Sequence, residues 1–341
     1  MCYTMQMESD RRIKMNKKSL KKLLFLCLAI PFATVSLWGC SRNDRPSNTG
    51  ESKLKVVTTL FPYYDFTRQV AGDKVELTMV VPAGMDSHSF EPTPADVQVI
   101  RDADVLICNG GALEHWLSQV LSAVDSDSMT VLTGMDRVNA VQEELVEGME
   151  EEKHQEDDDG HGDHIEYDEH IWTSPVNAMI LVESIRDTLS EKDPENRSYY
   201  EERAKSYLEK LKKLDDEFRK VAENKKRDMI VVGDKFPFRY LADEYGLSYR
   251  AAFSGCSTDT EPSARTIAYL IDKMRLEQIP VVYYLELSSH RVSEIIAEET
   301  GAEPLLLHSC HNVSRREFDS GVTYLDLMEQ NVINLKRGLD E

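Results

Sequence analysis

The chain has 341 residues, of which 41% are hydrophobic and 8% aromatic, so it can bury a sizeable core, and its length suggests about two domains. Forty Lys and Arg residues stand against 61 Asp and Glu residues, which gives a net charge of -21. This composition excludes wholesale disorder, and it argues against a nucleic-acid partner because an acidic surface repels phosphate backbones.

The N-terminal 39 residues have the composition of an export signal. Several lysines precede an apolar run over residues 23–37. This run is shorter than the roughly 20 residues that a transmembrane helix needs. The run ends in Leu-Trp-Gly-Cys40, which resembles a bacterial lipoprotein cleavage site. We therefore predict a signal peptide over residues 1–39, with lipid on Cys40. Residues 1–14 are interpreted as an over-extended start, and an uncleaved anchor helix is the alternative.

An α/β pattern begins after a polar, flexible tether over residues 40–52. Short β-branched runs alternate with helical patterns, which is typical of βαβ units and a mostly parallel sheet. The predicted strands are 54–59, 75–81, 104–108 and 129–132, and the predicted helices are 63–70, 93–101 and 113–123. These elements belong to a first α/β lobe over residues 53–190.

Residues 143–169 interrupt this lobe with 14 acidic residues and almost no apolar side chains. Such a segment cannot pack, so we expect a mobile loop. Its histidines and carboxylates predict an accessory loop that attracts cations. The alternative is an insertion that only increases solubility. The histidines are His154, His161 and His164.

The second half of the chain repeats the α/β pattern after a helical connection. Ser174 and Pro175 supply an N-cap and a first-turn proline for a helix to about residue 189. Apolar residues then recur every three or four positions over residues 194–226, which predicts one helix of about 45 Å rather than a coiled coil with clean heptads. Further strands are predicted at 229–233, 247–253, 280–286 and 304–307, and helices at 238–245, 262–276, 292–300 and 321–339.

The predicted fold class is therefore α/β, with two lobes of mostly parallel sheet joined by one long rigid helix. The linking helix spans residues 191–227 and the second lobe spans residues 228–341. Ligands of open parallel sheets bind beyond the carboxyl ends of the strands, so polar residues there are the candidate site.

Histidines and carboxylates follow several of these strands. Imidazole mixed with carboxylate suits a first-row ion such as Zn²⁺, whereas an all-oxygen set would suit Ca²⁺ or Mg²⁺. The sequence therefore indicates a transition-metal site. Its candidates are His88, the group Asp168-Glu169-His170, Asp234, Glu286, His308 and His311.

The mature chain resembles the metal-binding lipoproteins of zinc or manganese ABC importers, in particular the zinc-uptake branch. Four features carry the resemblance: Val-Val-Thr-Thr-Leu-Phe-Pro62, Gly-Met-Asp-Ser-His88-Ser-Phe-Glu-Pro, the acidic loop, and Asp-Glu-His170-Ile-Trp-Thr-Ser-Pro. The resemblance implies two α/β lobes bridged by a rigid helix, with one metal ion in the inter-lobe cleft.

Site residues follow from the same resemblance. His88 and His170 match the two N-lobe ligands, Asp234 takes the place of the third ligand, and His308 falls where the fourth is expected. Glu286 is assigned to orienting a ligand. Three further residues are rival ligands: Cys256, His290 and His311.

The implied function is a receptor, not an enzyme, that captures Zn(II) outside the cytoplasm and delivers it to an ABC-type permease, with Mn(II) as the alternative metal. The resemblance implies a monomer anchored through Cys40 on the outer face of the cytoplasmic membrane, or facing a periplasm. A secreted zinc enzyme is a competing hypothesis, but no His-Glu-x-x-His helix is present. A third hypothesis is a zinc buffer or an adhesin that uses the acidic loop.

Cys256 and Cys310 both lie in loops that follow strands of the second lobe. Parallel strands place such loops at one edge, so we predict a disulfide between them, favoured by oxidising surroundings. The rival hypothesis is that one thiolate replaces Asp234 as a zinc ligand.

Overall fold

A computed structural model describes residues 53–124, 128–149, 167–255 and 262–340. Several predicted features lie outside these residues: the signal peptide, Cys40 and its tether, Cys256, and the loop histidines His154, His161 and His164. Within the described residues, no helix combines the length and the apolar character needed to cross a membrane.

The first half of the described chain contains a four-stranded parallel sheet with the strand order β2-β1-β3-β4. Each strand starts and ends within two residues of its predicted position. Strand β2 lies on one side of β1, and β3 and β4 lie on the other, so the strand order changes direction between β1 and β3. Ligands of such sheets bind at this switch point. The strands are β1 (Leu54–Thr58), β2 (Val75–Met79), β3 (Val105–Cys108) and β4 (Thr130–Thr133).

The second half contains another parallel sheet, with the strand order β6-β5-β7-β8. The two halves therefore repeat one topology, and the predicted α/β class is confirmed. The strands are β5 (Met229–Phe236), β6 (Ser248–Ser254), β7 (Val281–Tyr284) and β8 (Glu303–Leu306).

Ten α-helices occur among the described residues. They are α1 (Phe61–Ala71), α2 (Pro94–Arg101), α3 (His115–Ala123), α4 (Pro175–Lys192), α5 (Arg197–Asn224), α6 (Arg239–Tyr245), α7 (Ala264–Glu277), α8 (Arg291–Thr300), α9 (Arg315–Ser320) and α10 (Tyr324–Asp340). The predicted N-cap of α4 is confirmed, because the Ser174 side chain accepts a hydrogen bond from the backbone N–H of Asn177.

Helix α5 is the predicted long helix. Its 28 residues span about 42 Å at 1.5 Å per residue. It packs against α1 and α4 of the first half and against α6 and α10 of the second. Its buried face is the predicted apolar stripe, which includes Tyr200, Tyr207, Leu214 and Phe218. One continuous hydrophobic core consequently runs through both halves and around this helix.

The C-terminal helix differs from the prediction. The sequence predicts one helix over residues 321–339. In the structure that helix, α10, begins only at Tyr324, and a separate short helix, α9, precedes it. Ser314 and Glu317 form a capping box at the N-terminus of α9. Gly321 ends this helix and adopts the left-handed conformation (φ 79°). The glycine therefore terminates one helix instead of starting the next, as is usual just beyond a helix end.

Candidate metal centre

Two histidines of the first half are positioned by carboxylates next to them in the sequence. His88 lies in a short 3-10 turn after β2, where the Asp86 carboxylate accepts a hydrogen bond from the His88 N–H at 2.9 Å. His170 lies in the segment that leads into α4. Asp168 Oδ1 accepts from the His170 N–H at 2.8 Å and lies 3.3 Å from the ring atom Nδ1. Because Asp168 faces Nδ1, Nε2 is the ring nitrogen that would bind a metal ion.

The backbone around His170 is also held firmly. The Glu169 carboxylate accepts hydrogen bonds from the N–H groups of Ala112 and Leu113, and the Tyr240 hydroxyl donates to the Asp168 carbonyl at 2.7 Å. A side chain at Gly111 would overlap the Glu169 carboxylate. Glycine at this position therefore permits the close approach that holds the His170 segment.

The third histidine of the cluster is His311, from the loop after β8. The ring centroids are 6.1 Å apart for His88 and His170, 5.8 Å for His88 and His311, and 6.4 Å for His170 and His311. In a tetrahedral zinc centre with Zn–N bonds of about 2.0–2.1 Å, three imidazole centroids lie about 5 Å apart. The three rings thus form a nearly equilateral triangle that needs shifts of about 1 Å to enclose a zinc ion.

His311 is oriented by the loop that carries His88. Its Nε2 lies 2.5 Å from the Ser87 hydroxyl and 3.9 Å from the Asp86 carboxylate. One potential ligand atom from each of Asp86, His88 and His311 falls within 4.8 Å of the others.

The structure does not bring His308 into this cluster. Its side chain is 2% exposed, its Nδ1 accepts the Cys310 N–H at 2.9 Å, and its backbone is bonded in both directions by Asn331. Cys310 adopts a left-handed conformation (φ 60°), which turns the chain between the two histidines. In this structure His311, and not His308, lines the cleft from this loop. His308 as a metal ligand stays a prediction from the sequence.

Cys310 carries a free thiol and is completely buried. Its thiol donates to the His308 carbonyl at 3.7 Å, and burial, followed by the nearby charge of Glu286, raises the pKa of the thiol well above its usual value. Because Cys310 carries a free thiol, the predicted bridge to Cys256, which lies outside the described residues, is not formed in this structure.

Two further carboxylates line the cleft. Asp234 lies on β5 next to a register shift of that strand, and its Oδ1 accepts from the Lys235 N–H at 2.9 Å. Glu286 is bound to Ser309, accepting from its N–H at 2.8 Å and from its hydroxyl. Glu286 consequently orients the loop of His311, and its role beside a metal ligand stays a prediction.

These residues surround a cavity of about 210 Å³ that is lined by both halves of the chain. Asn312 connects the two halves at this cavity. Its side-chain amide donates hydrogen bonds to the carbonyls of Pro82 and Met85. The Gly84 N–H donates to the Val313 carbonyl at 2.7 Å. The loops of His88 and His311 are therefore hydrogen-bonded to each other across the cleft.

The protonation states favour metal binding. Burial lowers the pKa of His88 to about 4 and that of His311 to about 3, with the neighbouring histidines as a further cause. Burial also acts to lower the pKa of His170, but the charge and hydrogen bond of Asp168 outweigh it and the pKa is raised. At neutral pH, His88 and His311 are therefore uncharged and can donate lone pairs.

The sequence did not reveal that Asp168 orients His170, and it favoured His308 over His311 as the candidate ligand. Asp168 was visible as a carboxylate two positions before a candidate ligand, a spacing that allows it to bond the ring. Nothing in Leu-His-Ser-Cys-His distinguishes the two histidines, since both follow the same strand.

Relatives of known function resemble the chain over most of its length. It is 34% identical to the high-affinity zinc uptake system protein ZnuA of Bacillus subtilis over 92% of this chain and 96% of that protein. It is 32% identical to the zinc-binding lipoprotein AdcA of Streptococcus pneumoniae, of which it spans 62%.

Solved structures share the fold. The Zn(II)-bound ZnuA-like domain of S. pneumoniae AdcA is 30% identical, with a TM-score of 0.70, over 85% of this chain and 100% of that one. A Mn-bound periplasmic metal-binding protein from Candidatus Liberibacter asiaticus is 26% identical, with a TM-score of 0.67, over 84% of this chain and 99% of that one.

Residues 56–338, which contain all three clustered histidines, match the family described as zinc-uptake complex component A, periplasmic. The chain therefore belongs to the ZnuA family of zinc-uptake proteins.

Proposed function

We propose that this protein is an extracytoplasmic receptor that captures Zn(II) in the cleft between its halves and delivers it to an ABC-type permease. The observation that carries this proposal is the triangle of His88, His170 and His311, which come from both halves and surround one cavity. The zinc-uptake and zinc-binding names of the relatives support the same metal and role. Members of this family bind solutes for transport and are not enzymes.

The proposed ligands are the three clustered histidines and one carboxylate. Asp86 is the nearer carboxylate to His88 and His311, whereas Asp234 faces the cleft from the other half and is the ligand predicted from the sequence. Three imidazoles with one carboxylate match the nitrogen- and oxygen-rich sets of zinc proteins.

Zinc is favoured over manganese by the ligand set. Imidazole suits zinc, and zinc lies above manganese in the affinity order of divalent first-row ions. The carboxylates in the cleft and the Mn-bound relative support manganese as the alternative cargo.

The proposal also covers where the protein is located and what its acidic loop does. We propose that lipid on Cys40 anchors a monomer to the membrane beside its permease, on the outer face of the cytoplasmic membrane or facing a periplasm. The export signal predicted from the sequence, Cys40 at its end and the lipoprotein name of AdcA support this. Residues 143–169 would collect cations weakly for the cleft.

Metal content and competition titrations of the purified mature protein test the function. We expect one tightly bound zinc ion per chain and a zinc affinity that exceeds the manganese affinity. Equal or tighter binding of manganese would contradict the zinc assignment.

Asp86→Asn and Asp234→Asn identify the fourth ligand. Each change keeps the size of the side chain and removes its charge, so the ligand is the position at which zinc affinity falls more. Equal and small losses at both positions would show that neither carboxylate binds the metal.

A further inference from the structure

A β-bulge places two consecutive charged side chains in the cleft. In a regular strand, consecutive side chains point to opposite faces of the sheet. In β5, however, Val232 pairs with Ala251 and Lys235 pairs with Phe253, so β5 contains one extra residue against β6. Such a bulge redirects the local side chains. Asp234 and Lys235 consequently both line the cavity that His88, His170 and His311 surround.

Lys235 is the one lysine or arginine among the described residues that line this cavity. It is half-buried, and no ion pair or side-chain hydrogen bond joins its ammonium group to another described residue. The cleft carboxylates have other partners, because Asp234 accepts from a backbone N–H, Asp86 accepts from the His88 N–H, and Glu286 is bound to Ser309. Among the described residues, therefore, no direct ion pair neutralises the ammonium charge.

The charge of Lys235 acts on the cavity that the histidines surround, because Lys235 lines that cavity together with His88, His170 and His311. Like charges repel, and the energy of repulsion grows with the product of the two charges. A lysine ammonium group therefore disfavours a divalent cation held between these rings.

We propose that Lys235 sets the affinity and the exchange rate of the site, because its ammonium group repels the divalent cation that the three histidines bind. This inference rests on the proposed function and deepens it. A receptor must release its cargo as well as capture it, and a permanent positive charge beside the metal raises the free energy of the loaded state without removing a ligand. The main effect is expected on the dissociation rate.

The test compares Lys235→Gln with Lys235→Arg, which retains the charge, and with Lys213→Gln. Lys213 is an exposed residue of α5 that does not line the cleft, so its change alters the net charge equally. Zinc affinity is measured by chelator competition, and zinc release is measured by stopped flow with excess chelator. Thermal unfolding of each variant verifies that it is folded.

We expect Lys235→Gln to bind zinc about tenfold more tightly and to release it correspondingly more slowly. Lys235→Arg and Lys213→Gln should stay within about threefold of the unmodified protein, because one keeps the cleft charge and the other lies elsewhere. The difference between Lys235→Gln and the unmodified protein should shrink as salt is raised, since ions screen a partly exposed charge.

Unchanged or weaker zinc binding by Lys235→Gln would overturn the inference. Weaker binding that appears only with a small carboxylate in the buffer would show that Lys235 binds an anion carried with the metal, which also overturns it. Failure of the proposed function looks different, because the unmodified protein itself would then lack tight zinc binding.

Discussion

Asp168 Oδ1 lies 3.3 Å from Nδ1 of His170, and both side chains are almost completely buried. The carboxylate selects the ring nitrogen that faces the metal, and its charge raises the pKa of that ring against the opposing effect of burial. One side chain thus sets both the orientation and the proton affinity of a proposed ligand.

Asp168→Asn should weaken zinc binding by about 10–100-fold, the usual effect of losing a carboxylate that supports a metal-bound histidine. The amide oxygen can still accept from the His170 N–H, so the backbone is expected to keep its conformation. Chelator competition measures the affinity. Unchanged affinity in a folded variant would show that Asp168 does not tune His170.

His311→Ala should reduce zinc affinity by at least about a hundredfold, because it removes one of three imidazoles from the centre. His308→Ala is the matched control from the same loop. It should retain tight zinc binding but lower the free energy of unfolding by about 2 kcal/mol, since His308 is buried and hydrogen-bonded. Titration and denaturant unfolding measure the two effects. Loss of zinc binding in His308→Ala alone would restore the assignment made from the sequence.

Zinc affinity should depend on pH mainly through His170. Its pKa is raised above the ordinary value of 6.5, whereas the values for His88 and His311 are about 4 and about 3. Zinc requires the deprotonated ring, so affinity should fall by about tenfold for each pH unit below the pKa of His170 and level off above it. Proton release, measured by calorimetry in buffers of different ionisation enthalpy, should be close to one per zinc in the falling region.

Asp168→Asn removes the main cause that raises this pKa, so the pH at which affinity begins to fall should move to lower values. A steep dependence between pH 5 and 7 with two or more protons released would contradict this assignment, because His88 or His311 would then be protonated there as well.

Deleting residues 150–166 should slow zinc capture at scarce metal and leave the equilibrium affinity of the cleft within about threefold. Gln142 and Tyr167 form an antiparallel bridge, which holds together the chain on the two sides of the deletion, and a glycine-serine linker joins Met149 to Tyr167. A loop of the same length with neutral residues in place of the acidic ones and histidines is the control. Equal capture rates for all three proteins, measured by stopped flow at low and high salt, would favour a solubilising insertion.

Patterns local in sequence determined most of the fold. Alternating short apolar runs and helical periodicities gave the eight strands and the long helix, because each pattern reports which side of its own element is buried. The capping of α4 by Ser174 was likewise readable, since an N-cap depends on a few consecutive residues. His88 and His170 were identified from motifs that resemble a known family.

Tertiary structure alone decided which other residues reach the cleft. His308 and His311 are separated by two residues, and the left-handed backbone of Cys310 determines which ring is enclosed in the core and which faces His88. The bulge in β5 likewise brings Lys235 into the cleft beside Asp234, although the strand pattern would place consecutive residues on opposite faces. Periodicity describes burial within one element, whereas a metal centre depends on how single loop residues from different elements meet, and that geometry is fixed by packing between the two halves.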